Sequence, residues 1–475
     1  MEILNFTALQ LADAIKNKKI SVIEATSAYI NNIEKTNPTL NSFIYIAKEQ
    51  ALSCAEKVQN QICDGEVLSP LAGVPIAIKD NISTKNLPTT CASKTLENYT
   101  PIFNATVVDK LEQAGMIIIG KLNMDEFAMG STTETGIFGS VKNPWDTTRS
   151  AGGSSGGSSA AVAGKQVPLT LGTDTGGSIR QPCSFCGVTG IKPTYGTVSR
   201  HGLIAYASSL DQIGPIGHTI EDCAALLSII SGHDEKDSTS ALKKSFNFDE
   251  KSSLNGMKIG FCSNYFEYNI DDDVKTSLLN TAKQFKELGA DVEEFDMPYI
   301  DCVIPTYCIL ANAEASTNFA KYDGITLGHR SDKAENLTDV YRLSRGEGFG
   351  LEVKRRVMLG SFLLSSGQYE TYYKKAMKVR TLIKDAYRQL FEKYDMILAP
   401  VTSSAAYKLG KSKTDPVKLY LSDMCTASVN LAGLPAAALP CGFNSEGLPL
   451  GFQLIGNAFS EQKLINAGRI YQENF

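Results

Sequence analysis

Histidine is scarce: four in 475 residues, at His201, His218, His233 and His329. There is no HExxH, which argues against a zincin-type metal site. Nothing after His329 can serve as the late histidine of an α/β-hydrolase triad. Long apolar runs are also missing, and none approaches the roughly 20 residues that span a bilayer. The N-terminal Met1-Glu2-Ile3-Leu4-Asn5-Phe6-Thr7 has neither the basic nor the apolar region of a signal peptide. A soluble, cytoplasmic protein is expected. Positive charge is not in excess, since 46 Lys and Arg stand against 51 Asp and Glu for a net charge of −5. That balance is unlike a basic nucleic-acid-binding surface, so any nucleic acid would be gripped chiefly by another chain.

Cysteine is present without the pattern of a disulfide framework. The 11 cysteines are odd in number and scattered from Cys54 to Cys441, which suits reduced thiols. Cys183-Ser184-Phe185-Cys186 is a lone CxxC. Zinc would want a second pair or nearby histidines, so buried free thiols are expected there.

Composition is that of an ordinary globular protein, and the length alone would allow about three domains. Thr7 can cap a helix from Ala8 to Lys18, and Ser21 one from Val22 to Lys35, with Asn37-Pro38 as its stop. Leu71 to Ile78 is apolar and β-prone and ends at Lys79. Thr106 to Ala114 reads as a helix and Met116 to Ile119 as a buried strand. This rhythm points to α/β architecture: one large mixed sheet covered by helices on both faces. A single domain over 1–475 is expected, with N-terminal helices in 1–60 packed on it and a polar surface excursion near 234–256. Lys374 to Leu390 carries Val379, Leu382, Ile383, Ala386 and Leu390 as a core-facing stripe.

Asn143 to Ser159 is rich in Gly and Ser, as a linker would be. However, a helix-forming run (Ser159 to Ala163), a strand candidate (Val167 to Leu171) and a second cluster, Gly172-Thr173-Asp174-Thr175-Gly176-Gly177-Ser178, follow it. Two such loops flanking a helix and a strand mark a site. Gly152-Gly153-Ser154-Ser155-Gly156 matches G-x-S-x-G, but the polar, proline-broken segment before it is no elbow strand, and the late histidine is missing. A serine hydrolase without histidine needs another base. A lysine can serve if burial lowers its pKa from about 10.4 by several units. Lys79 ends an apolar run and is the candidate. On position alone, a lysine that snorkels to solvent is the favoured alternative. Thr175, Gly176 and Gly177 offer unobstructed N–H groups for an oxyanion, and a helix starting near Ile179 would favour negative charge. A phosphate cradle is the competing use of this loop, weakened by the lack of G-x-x-x-x-G-K-[ST].

Taken together, Gly73-Val74-Pro75-Ile76-Ala77-Ile78-Lys79-Asp80, Gly152 to Ser158, and Gly172 to Arg180 resemble the amidase signature family. The resemblance implies Ser178 as nucleophile, Ser154 as proton-relaying bridge after a cis peptide, and Lys79 as base. Ser199 to Pro215, Met124 to Gly130, Gly348 to Arg356 and Asn430 to Pro435 are similar to one branch of that family, the glutamine-hydrolysing subunits of tRNA-dependent amidotransferases. Around Ser158-Ser159 and Pro400-Val401-Thr402 the chain departs from the pattern without touching the triad. By motif position, Arg356 and Asp423 would grip the carboxylate and amine of glutamine, with Tyr307 and Ser131 as further substrate contacts. Arg355 is the neighbouring alternative to Arg356. The resemblance also implies no cofactor in this chain. ATP and Mg2+ would be used by a partner, within a heterotrimer completed by the B and C chains of such enzymes, which acts on Glu-tRNA(Gln). The rival readings are a stand-alone amidase and a non-enzymatic assembly factor. Charged grips disfavour an apolar substrate, and the intact triad disfavours a non-enzymatic role.

Overall fold

The computed structural model describes residues 3–66, 69–242, 253–410 and 422–475. Eleven strands form one sheet: β1 (Phe43–Ile46), β2 (Pro75–Lys79), β3 (Ile117–Leu122), β4 (Leu169–Asp174), β5 (Thr189–Lys192), β6 (Gln212–Gly217), β7 (Lys258–Cys262), β8 (Asp291–Phe295), β9 (Met396–Pro400), β10 (Ala436–Phe443) and β11 (Pro449–Gly456). Their order is β1-β3-β2-β4-β6-β5-β10-β11-β9-β7-β8. β2 is parallel to both β3 and β4, β7 is parallel to β8 and β9, and the remaining pairs are antiparallel. The sheet is therefore mixed, as expected.

Successive side chains of a strand point to opposite faces, and here both faces are buried. In β9, Met396 and Leu398 enter one apolar cluster while Ile397 and Ala399 enter another. The first cluster receives the helices Ala8–Lys16, Val22–Leu40, Thr106–Gln113 and Ile220–Ile230, and the second receives Ile300–Asn318, Leu351–Leu364 and Lys374–Lys393. This is the three-layer α/β/α arrangement.

The first two helices begin where the sequence placed them, with capping boxes at Thr7 and Ser21. Two expectations fail. The second helix runs through Pro38 to Leu40 and ends at a left-handed Asn41. The Asn37 side chain bonds both the N–H (2.8 Å) and C=O (2.9 Å) of Phe43, which anchors this last turn to β1. Leu382 is 44% exposed. Val379, Ile383, Ala386 and Leu390 form the true stripe, and Leu382 is turned about 100° from Ile383 on a 3.6-residue helix. Of the polar segment near 234–256, residues 243–252 lie outside the described residues. Its described ends are tied down: Asp234 accepts from Thr106 Oγ1 (2.6 Å) and Ser199 Oγ (2.5 Å), and Leu254 is buried.

Candidate active site

The carboxyl ends of parallel strands are where open α/β sheets bind ligands. β2, β3 and β4 are such neighbours, and each feeds a loop into one place. β2 ends on Lys79, β3 leads into Asn123 to Thr135, and β4 ends on Asp174 and leads to Ser178. Lys79 is fully buried, so the snorkelling alternative fails. Its Nζ lies 2.7 Å from Ser154 Oγ, 2.8 Å from Ser155 Oγ and 2.8 Å from Thr173 Oγ1.

These partners accommodate a neutral amine as well as an ammonium, and the neutral form is the one that can act as a base. The Ser155 hydroxyl donates to the Thr173 carbonyl at 3.0 Å, so it accepts from Lys79. Thr173 Oγ1 accepts from Asn81 Nδ2 at 3.1 Å and has a second lone pair for Lys79. A neutral amine has two N–H donors and one lone pair. Both donors are then satisfied, and the lone pair faces the Ser154 hydroxyl. Burial lowers the Lys79 pKa to about 7, against the opposing charges of Asp125, Asp174 and Asp211.

Ser154 is buried and follows a cis Gly153–Ser154 peptide bond. Asp125 supports this turn. Its carboxylate accepts N–H bonds from Thr132 (3.2 Å), Thr133 (2.8 Å) and Glu134 (3.1 Å), and a Cβ at Gly153 would collide with Asp125 Oδ2. Gln181 joins two loops by accepting from Gly153 N–H at 2.9 Å and donating to the Ser131 carbonyl at 3.0 Å.

Ser178 is partly exposed, whereas its neighbours from Gln166 to Gly177 and from Ile179 to Cys186 are buried. Its carbonyl accepts the Ser155 N–H at 3.2 Å, which sets the two serine loops side by side. The hydroxyls of Ser154 and Ser178 are not hydrogen-bonded to each other in this state. Asp174 shapes the turn before Ser178. It accepts from Gly177 N–H (2.8 Å), Ile179 N–H (3.1 Å), Arg180 Nε (3.1 Å) and Asn430 Nδ2 (2.9 Å). Burial alone would raise its pKa, but the Arg180 charge and these bonds hold it at about 2. The Gly177 N–H, expected in the oxyanion hole, is therefore taken by Asp174. The N–H groups of Thr175, Gly176 and Ser178 have no acceptor among the described residues.

Both glycines are required by close approach. A Cβ at Gly176 would lie 2.6 Å from the Tyr307 hydroxyl oxygen, and one at Gly177 would collide with Thr426 Oγ1. Thr426 Oγ1 donates to the Gly176 carbonyl at 2.6 Å. Three residues before Thr426, Asp423 accepts from Ser131 Oγ at 3.1 Å. Burial raises the Asp423 pKa to about 7, while Ser131 and the Arg356 charge pull it down. Arg356 is buried, with Nε 2.8 Å from Glu352 Oε1 and Nη1 donating to the Tyr206 hydroxyl at 2.6 Å. Arg355 pairs with Glu352 on the surface, its side chain 42% exposed. The structure thus brings Asp423, Tyr307 and Ser131 to the loop of Ser178, puts Arg356 within electrostatic reach of Asp423 and Tyr307, and leaves Arg355 outside.

Asp125, Gln181, Tyr206 and Asp211 were missed as site residues. Asp125, Tyr206 and Asp211 lie within the branch-like stretches Met124 to Gly130 and Ser199 to Pro215, which was the available signal. Cys183 and Cys186 are buried free thiols, and no group of three or more His, Cys, Asp or Glu that could hold a metal occurs among the described residues.

A family model for amidases matches residues 24–465. The chain belongs to the amidase family. It is similar to the A chain of the glutamyl-tRNA(Gln) amidotransferase of Lachnoclostridium phytofermentans, 53% identical over 99% of both proteins. It also resembles the crystal structure of the corresponding protein from Thermotoga maritima, with a TM-score of 0.82 at 40% identity over 100% of this chain and 96% of that one. A bacterial aryl acylamidase of the same amidase signature family has a TM-score of 0.86 at 24% identity, over 98% of this chain and 96% of its own. That last likeness shows the shared fold alone. Within the family, the Ser178, Ser154 and Lys79 loops are those that carried the sequence resemblance. No helix among the described residues is long and apolar enough to cross a membrane.

Proposed function

We propose that this chain is the glutamine-hydrolysing component of a glutamyl-tRNA(Gln) amidotransferase. One observation carries the substrate: a carboxylate, Asp423, is tied to the turn that presents Ser178, and a buried cation, Arg356, lies within electrostatic reach of it. Asp423 is bolted to that turn through Thr426, and Tyr307 packs on Gly176. A guanidinium can bind a carboxylate bidentately, and Asp423 and Ser131 can receive an ammonium. An amino acid held by its head group would then extend its side-chain amide toward Ser178.

Neutral Lys79 takes the proton of Ser154 as Ser154 takes that of Ser178. The Ser178 oxygen attacks the amide carbon, and the oxyanion receives N–H bonds from Gly176 and Ser178. The C–N bond breaks as the proton returns through the relay to nitrogen, releasing ammonia and leaving a glutamyl ester on Ser178. Water, activated by the same relay, hydrolyses the ester to glutamate. The relay closes once the Ser178 hydroxyl rotates onto Ser154.

The relatives' names, each that of an A subunit, support an assembly with other chains, here read as three different chains. In it, ammonia passes to the B chain, the small C chain braces the other two, and Glu-tRNA(Gln) is held mainly by the B chain. ATP and Mg2+ would supply activation of the side-chain carboxylate of the tRNA-borne glutamate in that partner, and this chain needs neither for glutamine hydrolysis. The test is ammonia release from glutamine by the lone chain, by the complex, and by the complex with Glu-tRNA(Gln) and ATP. The complete system should be fastest. A lone chain that turns over glutamine as fast as the complete system would instead be a stand-alone amidase.

A further inference from the structure

The groups that would hold the substrate's head and those that would perform acylation are joined by a second, buried route. Arg356 Nη1 donates to the Tyr206 hydroxyl at 2.6 Å, and the guanidinium lies over the Tyr206 ring, 5.5 Å from its centroid. The Tyr206 N–H donates to Asp211 Oδ2 at 2.8 Å, and Ala207 N–H donates to the same oxygen at 3.0 Å. The other oxygen, Asp211 Oδ1, accepts the Thr175 hydroxyl at 2.6 Å. Thr175 immediately precedes Gly176-Gly177-Ser178. Three residues therefore span from the head-group cation to the turn of the attacking serine, with the Tyr206 main-chain N–H joining its side chain's contact to Asp211.

Two features argue against simple core filling. Tyr206 sits in an apolar cluster that a phenylalanine would fill equally well, yet its hydroxyl meets a buried guanidinium. Asp211 is buried without an ion pair within 4 Å among the described residues. A buried carboxylate without a salt bridge is costly to keep, and the groups it serves here are Tyr206, Ala207 and Thr175. The 206–211 segment is in turn clamped to the helix Ile300–Asn318, which carries Tyr307. Asn318 Nδ2 donates to the Tyr206 carbonyl at 3.1 Å, and Glu314 accepts the Ser209 N–H at 2.8 Å.

We propose that Tyr206 and Asp211 are positioning residues: Tyr206 sets the plane of Arg356 for the substrate carboxylate, and Asp211 locks that setting to the Ser178 turn through Thr175. This rests on the glutamine reading of the site. The failure of that reading would show separately, as wild-type protein that does not hydrolyse glutamine.

The experiment is a set of double-mutant cycles on glutamine hydrolysis by the full chain in its amidotransferase complex, with KM and kcat separated and thermal melts as the folding check. Tyr206→Phe removes one hydrogen bond to a charged group and should raise KM roughly ten- to hundredfold. In an Arg356→Ala background it should add almost nothing. Asp211→Asn and Thr175→Val should each lower kcat, and the pair should be no worse than the more damaged single variant. The decisive pair is Tyr206→Phe with Thr175→Val, which share no direct contact; their effects should depart from multiplicativity by about threefold or more. Thr175→Val also carries the test if Asp211→Asn fails to fold. Multiplicative losses in the Tyr206–Arg356 or Tyr206–Thr175 cycle would overturn the proposal, as would an unchanged KM in Tyr206→Phe.

Discussion

Glutamine hydrolysis should fail in acid because Lys79 gains a proton. Its pKa falls from 10.5 to about 7 through burial, a differential cost of about 5 kcal/mol at about 1.4 kcal/mol per unit. Below that pKa the amine is an ammonium and cannot accept from Ser154. Two units below, at about pH 5, only about 1% of it is neutral, so kcat should fall at least about a hundredfold. Asp423 titrates in the same range, with burial raising its pKa to about 7, and it must be ionised to pair an ammonium. In the bound complex the substrate holds it ionised, so the kcat limb near pH 7 reports Lys79, and protonation of Asp211, whose pKa burial raises to about 6, deepens the loss below that. The free enzyme exposes both groups, and kcat/KM should approach a slope of at least two. Steady-state kinetics from about pH 5 to about pH 9 read both limbs. Lys79→Arg keeps the charge but offers no base at neutral pH and should lose nearly all activity. A kcat limb near the ordinary carboxylate range, or an Arg variant near wild-type activity, would refute the assignment.

Arg356→Ala and Asp423→Ala should each weaken glutamine use by about 2–5 kcal/mol and leave transamidation from high external ammonia largely intact, whereas Arg355→Ala should change glutamine KM little. Equal loss with both nitrogen donors would point to folding instead. Asp174→Asn leaves Arg180 buried without its counter-charge and should cost about 3–5 kcal/mol in urea melts. The wild-type contribution is present above the unfolded pKa and is lost as pH falls through about 2, so the gap between the two proteins should be full at neutral pH and should close in strong acid.

The sequence spoke most clearly where local rules decide. Thr7 and Ser21 cap helices because a side-chain oxygen beside orphan N–H groups is a local matter. The double glycine before Ser178 announced a close approach, although not that Tyr307 and Thr426 were the approaching groups. Sequence position misjudged Lys79, because whether a strand-end lysine reaches solvent depends on the Thr173 and Ser155 loops closing over it. It also assigned Gly177 to the oxyanion hole. Asp174 claims that N–H, since an aspartate three residues upstream can fold back on its own turn. Arg355 and Arg356 were adjacent in sequence and separable only by helix phase, which turns one to Tyr206 and the other to water. Asn37-Pro38 read as a stop because the compensating contact to Phe43 lies beyond the helix.

The most direct test is to quench the amidotransferase complex during glutamine turnover and locate the glutamyl ester by mass spectrometry. The expected result is an adduct on the peptide containing Ser178, absent from Ser178→Ala and accumulating when water is slow to attack. An adduct on Ser154 or on any cysteine, or undiminished ammonia release by Ser178→Ala, would contradict the assignment of Ser178 as the nucleophile.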